Sequence, residues 1–353
     1  MKHSYRLNPL LSRLRGKVGL PNDLQHGAAR SWVIDPGGPK MSEPALFDSD
    51  DLRRVSGVIH DWHSIADEIE KVRGGPGVHA PMIAYELSNA TLSGGHVFTR
   101  KVAHPVQGHP MPHLARRVRK HVPHAILAST GFGLKWFGHW MFDDLPLTLA
   151  ALEMGEPISA LTSLSPHQRE YLEMLGVAPP AGDDIYFDRL VVLQDFGQNA
   201  HKRRRHDEVH RRIVGDAPQL PPGRGVMILR GDSGQRRGMT NEPEVATALS
   251  KRGFIVLDPQ RLTAAEMVAQ SAGADIVVGV EGSQLAHGIV GMRRGGTLLT
   301  MQPPARFSSI WKSICEGRDM RYGFVVGHAQ GSDFSINIDA LNRLIDRVPP
   351  VAS

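Results

Sequence analysis

The chain has 353 residues, of which 41% are hydrophobic and 22% are charged, as in ordinary folded proteins. This length exceeds what a single hydrophobic core usually supports, and at about 100–200 residues per domain we expect two domains. The net charge of +5 is mild, no stretch approaches the roughly 20 apolar residues of a membrane span, and the lone Cys315 excludes an intramolecular disulfide framework or a cysteine zinc cluster.

The first part of the chain carries few strand signals. Residues 1–75 contain many glycines, prolines and charges, and they predict an irregular N-terminal arm. Within the arm, apolar residues at helical spacing over residues 51–72 predict one helix. Residues 1–20 are basic and lack the apolar core of a secretion signal. With a single cysteine, this favours a cytoplasmic protein.

A run of strands followed by strand–helix alternation is predicted between residues 80 and 200. The predicted strands are 82–87, 90–92, 96–98, 125–129 and 185–193, with a turn at 93–95. A helix over residues 139–153 must kink or restart at Pro146, because proline cannot donate a helical hydrogen bond. A second helix opens at Ser165 and Pro166, since proline is favoured at the first helical position.

The second half has a cleaner alternation of strands and helices. Apolar strands are predicted at residues 226–229, 254–257, 276–280 and 297–301. Asn241 with Glu244, and Thr263 with Glu266, have the spacing of capping boxes that start the intervening helices. Continuous apolar strands that alternate with helices indicate a parallel α/β sheet covered on both faces.

Positive charge is densest in the run His-Lys-Arg-Arg-Arg-His at residues 201–206, where we place the domain boundary. Such a run can contact an anionic membrane surface, which would make the protein peripheral at the inner face of the membrane, or it can bind nucleic acid. The simpler interpretation is a solvated helix face or linker. No aromatic residues interleave with the charges, so we expect no nucleic-acid partner.

The turn after the first strand of the second half is rich in arginine. Ligands bind at the carboxyl ends of parallel strands, and Arg230, Arg236 and Arg237 follow such a strand. Guanidinium groups offer planar pairs of donors that suit phosphate oxygens. The alternative is that these arginines are solvated or form ordinary ion pairs on the surface.

A second turn follows the strand at 276–280. Gly282 and the free N–H groups of the short helix behind it are typical of an anion site. Ser283 and His287 are four residues apart and share one face of that helix. Together with the arginine turn, this segment predicts a pocket for a diphosphate. The alternative for His287 is a buried core or interface histidine.

One further pair of residues has catalytic spacing in the first half. His139 and Asp143 are four apart on a predicted helix, so their side chains can meet. A carboxylate beside an imidazole raises its basicity and fixes its tautomer, as a general base requires. The pair could instead ligate a metal, but no third and fourth ligands occur at convincing spacing. It could also be a buried polar pair that braces a domain interface.

Several common nucleotide-binding and hydrolase motifs do not occur in the sequence. There is no phosphate-binding loop ending in Gly-Lys-Ser/Thr and no Gly-x-Gly-x-x-Gly after a strand. There is also no Gly-x-Ser-x-Gly elbow. These absences argue against kinases, nicotinamide enzymes and α/β-hydrolases.

In four segments the chain resembles glycosyltransferase family 61, a group that includes transferases of bacterial capsular polysaccharide biosynthesis. These are residues 89–95, the His-Trp-x-x-Asp-x-Leu-Pro motif at 138–146, the Arg…Arg…Asn-Glu segment at 230–242, and the Gly-x-Glu-Gly-Ser-x-Leu-x-His segment at 279–287. They occur in the family's order, and the resemblance as a whole covers about residues 80–305. Leu229 stands where many members have serine, and the aromatic-rich approach to His139 also departs from the pattern.

The resemblance implies a GT-B fold, with two Rossmann-like domains facing a cleft. We expect the N-terminal arm at 1–75, an acceptor domain at 76–205 and a donor domain at 206–353. The implied reaction inverts the anomeric carbon and needs no metal and no cofactor. Its partners would be a nucleotide-diphosphate sugar, preferably a uridine diphosphate sugar, and a surface polysaccharide, glycan or lipid-linked saccharide acceptor.

The resemblance also suggests roles for residues of these segments. His139 would act as the base, oriented by Asp143, while Glu281 competes for that role. The expected donor-binding residues are Arg230, Arg236, Arg237, Asn241, Glu242, Gly282, Ser283, Gln284 and His287. The second hypothesis is a non-catalytic protein of the same fold that binds a nucleotide sugar or a polysaccharide.

Overall fold

The computed structural model describes residues 7–59, 63–107, 111–112, 114–115, 118–231 and 238–351. Arg236 and Arg237 lie outside the described residues, so their expected roles stay predictions. The described residues form two compact units. The first unit is drawn from Met1–Gly38, His79–Ser165 and Val177–Arg205, and the second from Pro39–Val78, Pro166–Gly176 and His206–Ser353.

The strands are, in chain order, β1 (Arg30–Asp35), β2 (Gly38–Ser42), β3 (Gly75–His79), β4 (Met82–Ser93), β5 (His96–Phe98), β6 (Ala103–Pro105), β7 (Lys120–Leu127), β8 (Pro157–Ile158), β9 (Ile185–Asp195), β10 (Gly225–Ile228), β11 (Ile255–Leu257), β12 (Ile276–Val280), β13 (Thr297–Gln302), β14 (Arg321–Val326), β15 (His328–Gln330) and β16 (Asp333–Ser335).

The α-helices are α1 (Asn8–Lys17), α2 (Leu24–Gly27), α3 (Ser49–Leu52), α4 (Ile65–Arg73), α5 (Phe137–His139), α6 (Leu145–Met154), α7 (Pro166–Leu175), α8 (Ala200–Val214), α9 (Glu242–Lys251), α10 (Ala264–Ser271), α11 (Ala286–Gly291), α12 (Ile310–Gly317) and α13 (Ile338–Asp346). A π-helical segment, Trp140–Asp144, joins α5 to α6, and 3₁₀ turns occur at Ser283–Leu285 and Pro304–Arg306.

The sheet of the first unit is mixed. Its strands lie in the order β6-β5-β4-β9-β7-β8, with β1 also paired to β4. Only β9, β7 and β8 are parallel neighbours, and the other pairs are antiparallel. The implied Rossmann-like sheet is therefore wrong for this half of the chain. Two pairings explain the difference: the turn at Gly94 and Gly95, both with positive φ, folds β5 directly back on β4, and β4 also pairs antiparallel with β9.

The sheet of the second unit is parallel, as predicted. Its strand order is β11-β10-β12-β13-β14. The strand β11, which follows β10 in the chain, lies on one side of β10, and β12 lies on the other side. Strand order reverses between β10 and β12, and in doubly wound sheets the carboxyl ends of such strands flank the ligand crevice. Buried apolar residues from the sheet, α9 and α13 form a core on one face.

The N-terminal region is more ordered than an irregular arm. Residues 53–59 are not helical, so the helix predicted over 51–72 is wrong there; α3 ends at Leu52 and α4 starts after the Ser64 cap. Backbone pairing explains the difference, because Leu46 pairs with β14 and Val58 pairs with Phe307. Strand pairing thus satisfies the groups that a helix would have satisfied internally.

Candidate functional site

A π-helical segment shapes the first candidate site. Leu145 N–H donates to the carbonyl of Trp140, five residues back, where an α-helix would use a residue four back. Pro146 follows, and its ring cannot continue an α-helix against the carbonyl of the residue four back. The extra residue in the turn accommodates the proline, and such π-bulges are frequent at functional sites. The predicted restart at Pro146 is confirmed, since α6 begins at Leu145.

His139 and Asp143 meet as their spacing predicts. His139 Nδ1 lies 2.6 Å from Asp143 Oδ2, and each side chain is about one-fifth exposed, at 20% and 22%. The other oxygen, Asp143 Oδ1, accepts a hydrogen bond from Lys202 Nζ at 2.5 Å. Burial opposes the charge of Asp143, but Lys202 and His139 outweigh it and hold the pKa of Asp143 well below its usual range.

The charge on Asp143 fixes the tautomer of His139. An ionised carboxylate only accepts, so Nδ1 of His139 carries the proton that it shares with Asp143. In the neutral ring, Nε2 is then an acceptor, and it makes no hydrogen bond within the described part of the chain. A partly exposed imidazole with a fixed tautomer and an open Nε2 has the arrangement of a general base.

Lys202 is the residue that sequence reasoning missed. Its side chain is 2% exposed and also donates to the carbonyl of Asp195 at 3.0 Å. Burial alone would lower its pKa, but the charges of Asp143 and Asp195 raise the pKa of Lys202 above its ordinary value. Arg205, one turn further along α8, is equally buried and pairs with Asp195. A solvated face or linker is therefore the wrong description of these two members of the basic run.

The neighbouring carboxyl, Asp144, has a different task. It accepts from the backbone N–H of Thr130 at 2.9 Å and from the Thr130 hydroxyl at 2.8 Å. Burial raises the pKa of Asp144 well above its ordinary value, and the charge of Asp143 adds to this, while the Thr130 bonds oppose it. A Cβ at Gly133 would lie 2.2 Å from this carboxyl, so the loop after β7 packs directly on Asp144.

That loop carries an aromatic ledge beside His139, formed by Phe132 and Trp136. The Phe132 ring stacks on the His139 ring with centroids 5.1 Å apart, and Trp136 lies 5.8 Å from it. Phe132 is 42% exposed, and Lys135 places its ammonium over the Trp136 ring at 4.4 Å. An exposed aromatic surface next to a candidate base suits a ligand with an apolar ring face.

The second candidate site lies at the strand-order reversal of the parallel sheet. Arg230 follows β10 and Gln284 follows β12, and Arg230 Nη1 donates to Gln284 Oε1 at 2.6 Å. Gln284 Nε2 in turn donates to the carbonyl of Val280 at 2.5 Å. The two turns that the sequence analysis selected are thus joined by one buried hydrogen-bond chain at the carboxyl edge of the sheet.

Glu242 braces the same edge. Its carboxylate accepts from the backbone N–H of Arg230 at 2.9 Å and from that of Gly231 at 3.4 Å. Burial raises the pKa of Glu242, although these backbone donors and the charge of Arg230 oppose the rise. Backbone N–H groups that converge in this way form an anion-binding turn. In this structure the chain's own carboxylate satisfies the turn.

Asn241 does not cap α9, contrary to the capping box predicted with Glu244. Its Nδ2 donates to the carbonyl of Ile336 at 2.8 Å, and its Oδ1 accepts from the Ile336 N–H at 3.0 Å. A side-chain amide can match a backbone amide in both directions, and a segment distant in sequence takes both bonds here. This arrangement favours a bracing role for Asn241 over contact with a donor.

The turn after β12 is a 3₁₀ turn, Ser283–Leu285, that leads into α11. Gly282 is buried before it and Ser283 is half-buried. His287 is buried and lies 2.8 Å from the Tyr171 hydroxyl through Nδ1, with the His167 ring 4.7 Å away. Burial, with the charge of His167, lowers the pKa of His287 to about 3. These contacts favour the core histidine over a donor ligand.

Glu281 ends β12 and is buried beneath the turn. Its N–H donates to the carbonyl of Met301 on β13 at 3.0 Å. Burial raises the pKa of Tyr322 on β14, and the charge of Glu281 adds to the rise. Glu281 therefore acts within the sheet interior, whereas His139 keeps an open nitrogen, and this contrast favours His139 as the base.

Comparison with known proteins then identifies the family of one segment. Residues 137–304 match the family model described as Glycosyltransferase 61. This segment belongs to glycosyltransferase family 61. The matched segment of this glycosyltransferase domain contains His139, Asp143, Lys202, Arg230 and Gln284. It begins after Phe132 and Trp136, so both residues of the aromatic ledge lie before the match.

Two solved structures are distantly similar to this glycosyltransferase. A mutant flavo di-iron protein from Thermotoga maritima has 8% identity and a TM-score of 0.28, over 46% of this chain and 42% of that one. The flavodiiron protein from Giardia intestinalis has 12% identity and a TM-score of 0.25, over 59% and 50%. The chain therefore spans half or less of those structures. No curated protein matches it.

The described part of the glycosyltransferase chain holds neither a metal-ligand cluster nor a membrane-spanning helix. No group of three or more histidine, cysteine, aspartate or glutamate side chains is arranged there to hold a metal ion. Among the same residues, every helix is too short or too polar to cross a membrane.

Proposed function

We propose that the chain is an inverting glycosyltransferase that transfers a sugar from a uridine diphosphate sugar to a surface glycan acceptor. The observation that carries the proposal is the Lys202–Asp143–His139 chain of contacts, which ends at the open Nε2 of His139. The family supplies the class of reaction, and these three side chains supply the proton acceptor that sugar transfer to a hydroxyl needs.

In the proposed step, His139 Nε2 takes the proton of an acceptor hydroxyl as its oxygen attacks the anomeric carbon of the donor sugar. A new carbon–oxygen bond forms while the bond to the diphosphate breaks on the opposite face, so the configuration inverts. The diphosphate leaves with the bonding electron pair. The imidazolium is stabilised by Asp143, and Lys202 keeps that carboxylate ionised, so the proton stays on His139.

On the donor side, we assign the diphosphate to the carboxyl edge of β10 and β12. Arg230 is held there by Gln284, and the Gly282–Ser283 turn offers backbone donors. Pre-oriented cations and N–H groups stabilise charge that develops on a leaving diphosphate. Arg236 and Arg237 are proposed to complete this cation set, as expected from the sequence. Glu242 serves this edge by fixing the turn after β10.

On the acceptor side, the aromatic ledge supports a sugar ring next to His139. The flat faces of Phe132 and Trp136 suit the apolar face of a pyranose, and Lys135 adds a positive charge for acidic saccharides. A growing polysaccharide or a lipid-linked saccharide fits this surface. The GT-B arrangement, the domain limits and the cytoplasmic location stay predictions of the sequence.

The proposal is tested with purified chain, a panel of uridine diphosphate sugars and excess chelator. We expect one donor to raise the melting temperature and to be hydrolysed slowly, with an α-linked donor releasing the β-anomer first. An activity that appears only with added divalent metal would contradict the arginine assignment. A donor that binds but is neither hydrolysed nor transferred would favour the non-catalytic binding protein.

A further inference from the structure

Helix α1 is packed with its polar side inward. Asn8, Pro9 and Ser12 are buried, with Asn8 and Ser12 at 3% and 0% exposure. The leucines of the opposite face, at positions 7, 10, 11 and 14, are 36–48% exposed. Val18 and Leu20, just beyond the helix, are 71% and 49% exposed. A helix in a globular protein normally shows the reverse pattern, since its apolar stripe faces the core.

The exposed apolar residues form one continuous stripe. Leu7, Leu10, Leu11 and Leu14 follow the i, i+3, i+4, i+7 spacing of a single helix face, and Val18 extends it by one more turn. This stripe stays partly exposed, because α1 packs on β5 and β6 through its other side. A contiguous apolar surface of this kind marks an interaction site.

Basic residues flank the stripe and acidic residues are missing. At 100° per residue, Arg13 and Lys17 fall on one side of the leucines and Arg15 on the other. Residues 7–22 contain these three cations and no aspartate or glutamate. The face is therefore apolar in the middle and positive at both edges.

We propose that α1 lies flat on an anionic lipid surface, with its leucines inserted at the level of the headgroups. An apolar stripe bordered by Lys and Arg is the pattern of helices that lie in the membrane interface, because the long cationic side chains reach the headgroups. A second copy of the chain is the less suitable occupant. Pairing of two such faces would bring like charges together, whereas an anionic membrane complements them.

This surface replaces the one suggested by the sequence. The basic run at 201–206 was the expected membrane contact, but Lys202 and Arg205 are buried and paired with acids. Arg204 stays exposed there and pairs with Glu153. The α1 face carries the exposed apolar area that insertion into lipid requires, with the exposed Lys17 at its edge, and its role is independent of sugar transfer.

The test is co-sedimentation of the full chain with vesicles of phosphatidylcholine alone or with added phosphatidylglycerol. We expect binding only with phosphatidylglycerol, weaker at high salt. Leu10→Gln with Leu14→Gln should lower the partition coefficient about tenfold or more, because inserted apolar area is lost. Lys17→Gln should lower it about fivefold. Leu152→Gln, at a 46% exposed leucine of α6, is the matched control and should bind as the wild type does.

All four glutamine substitutions are at exposed positions, and an unchanged melting temperature will show that the fold is intact. The proposal would be overturned if the wild-type chain does not co-sediment with phosphatidylglycerol vesicles. It would also be overturned by equal binding of the double variant and the wild type. Sedimentation of the wild type as a dimer that the double variant abolishes would assign the face to a second copy instead.

Discussion

Lys202 Nζ donates to Asp143 Oδ1 at 2.5 Å while His139 occupies the other oxygen of the same carboxylate. The ammonium is buried, so its charge acts on Asp143 with little screening by water. This geometry lets Asp143 orient the imidazole without accepting its proton. Asp143 stays ionised and orients the imidazole, yet its charge is shared, so it does not take the proton from His139.

Replacement of Lys202 tests this arrangement through stability. Lys202→Met leaves the Asp143 charge without its buried partner, and we expect a loss of about 3 kcal/mol in the free energy of unfolding at pH 7. The folded-state pKa of Asp143 lies below its ordinary value of 3.8, so its stabilising effect is present above that pH and is lost on acidification. The difference between variant and wild type should therefore narrow below about pH 4, as measured by urea unfolding.

The control lies in the same basic run. Arg204 pairs with Glu153, but both side chains are largely exposed, at 62% and 46%. Arg204→Gln should change stability by less than about 1 kcal/mol. An equal loss in the free energy of unfolding in Lys202→Met and Arg204→Gln would contradict a stabilising role of Lys202 as the buried partner of Asp143.

The aromatic ledge predicts a specific kinetic effect. Phe132→Ala removes the exposed ring beside His139 and should raise the KM for the acceptor about tenfold, with the Kd for the donor unchanged. Phe196→Ala is the matched variant, because Phe196 is 71% exposed in the same unit but has no assigned role. An increased donor Kd, or the same effect in both variants, would show that the ledge does not hold the acceptor.

The Arg230–Gln284 bond predicts that Gln284 acts through the arginine. Gln284→Leu should weaken donor binding about tenfold, because Arg230 loses the acceptor that orients it. Arg230→Met should weaken donor binding further, and adding Gln284→Leu to that variant should lower the donor affinity little more. Calorimetric titration of the four proteins measures the coupling. Additive effects would mean that the two side chains act independently.

His287 predicts an acid-sensitive step in stability. Its folded pKa is about 3, against an ordinary value of 6.5, so between these values the unfolded state binds the extra proton. Stability therefore falls as the pH drops below the ordinary pKa. His287→Gln cannot titrate and still accepts from Tyr171, so it should remove about 2 kcal/mol of the loss at about pH 5. His104, with its pKa lowered to about 4, would supply part of the dependence of the free energy of unfolding on pH that remains in this variant. The same pH dependence of the free energy of unfolding in His287→Gln and in the wild type would exclude His287 as its source.

The second half of the fold was predictable because its signals are local. The uninterrupted apolar strands require cover on both faces, which only a parallel sheet with crossover helices provides. The capping box of Thr263 and Glu266 is present as predicted. The strands of the first half were predicted, but their pairing was not, because β4 pairs with β9 across about 100 residues of chain and no local pattern encodes that partner.

Site residues divide in the same way. The His139–Asp143 contact was predictable from helical spacing, since both residues lie within one turn. Lys202 was not, because its burial depends on Asp143, which lies 59 residues away. A cue was present in α8, where Lys202, Arg205 and the buried Val209 fall on one face. Asn241 misled for a similar reason, since its amide binds the distant Ile336 rather than the helix that it precedes.

The most direct test of His139 as the base measures turnover and donor affinity together in His139→Ala and in the wild type, with the same uridine diphosphate sugar and excess chelator. A general base contributes about 10²–10⁴-fold, so we expect a loss of turnover of that size with the donor Kd unchanged. Retained turnover, or a loss explained entirely by weaker donor binding, would contradict the assignment of His139 as the base.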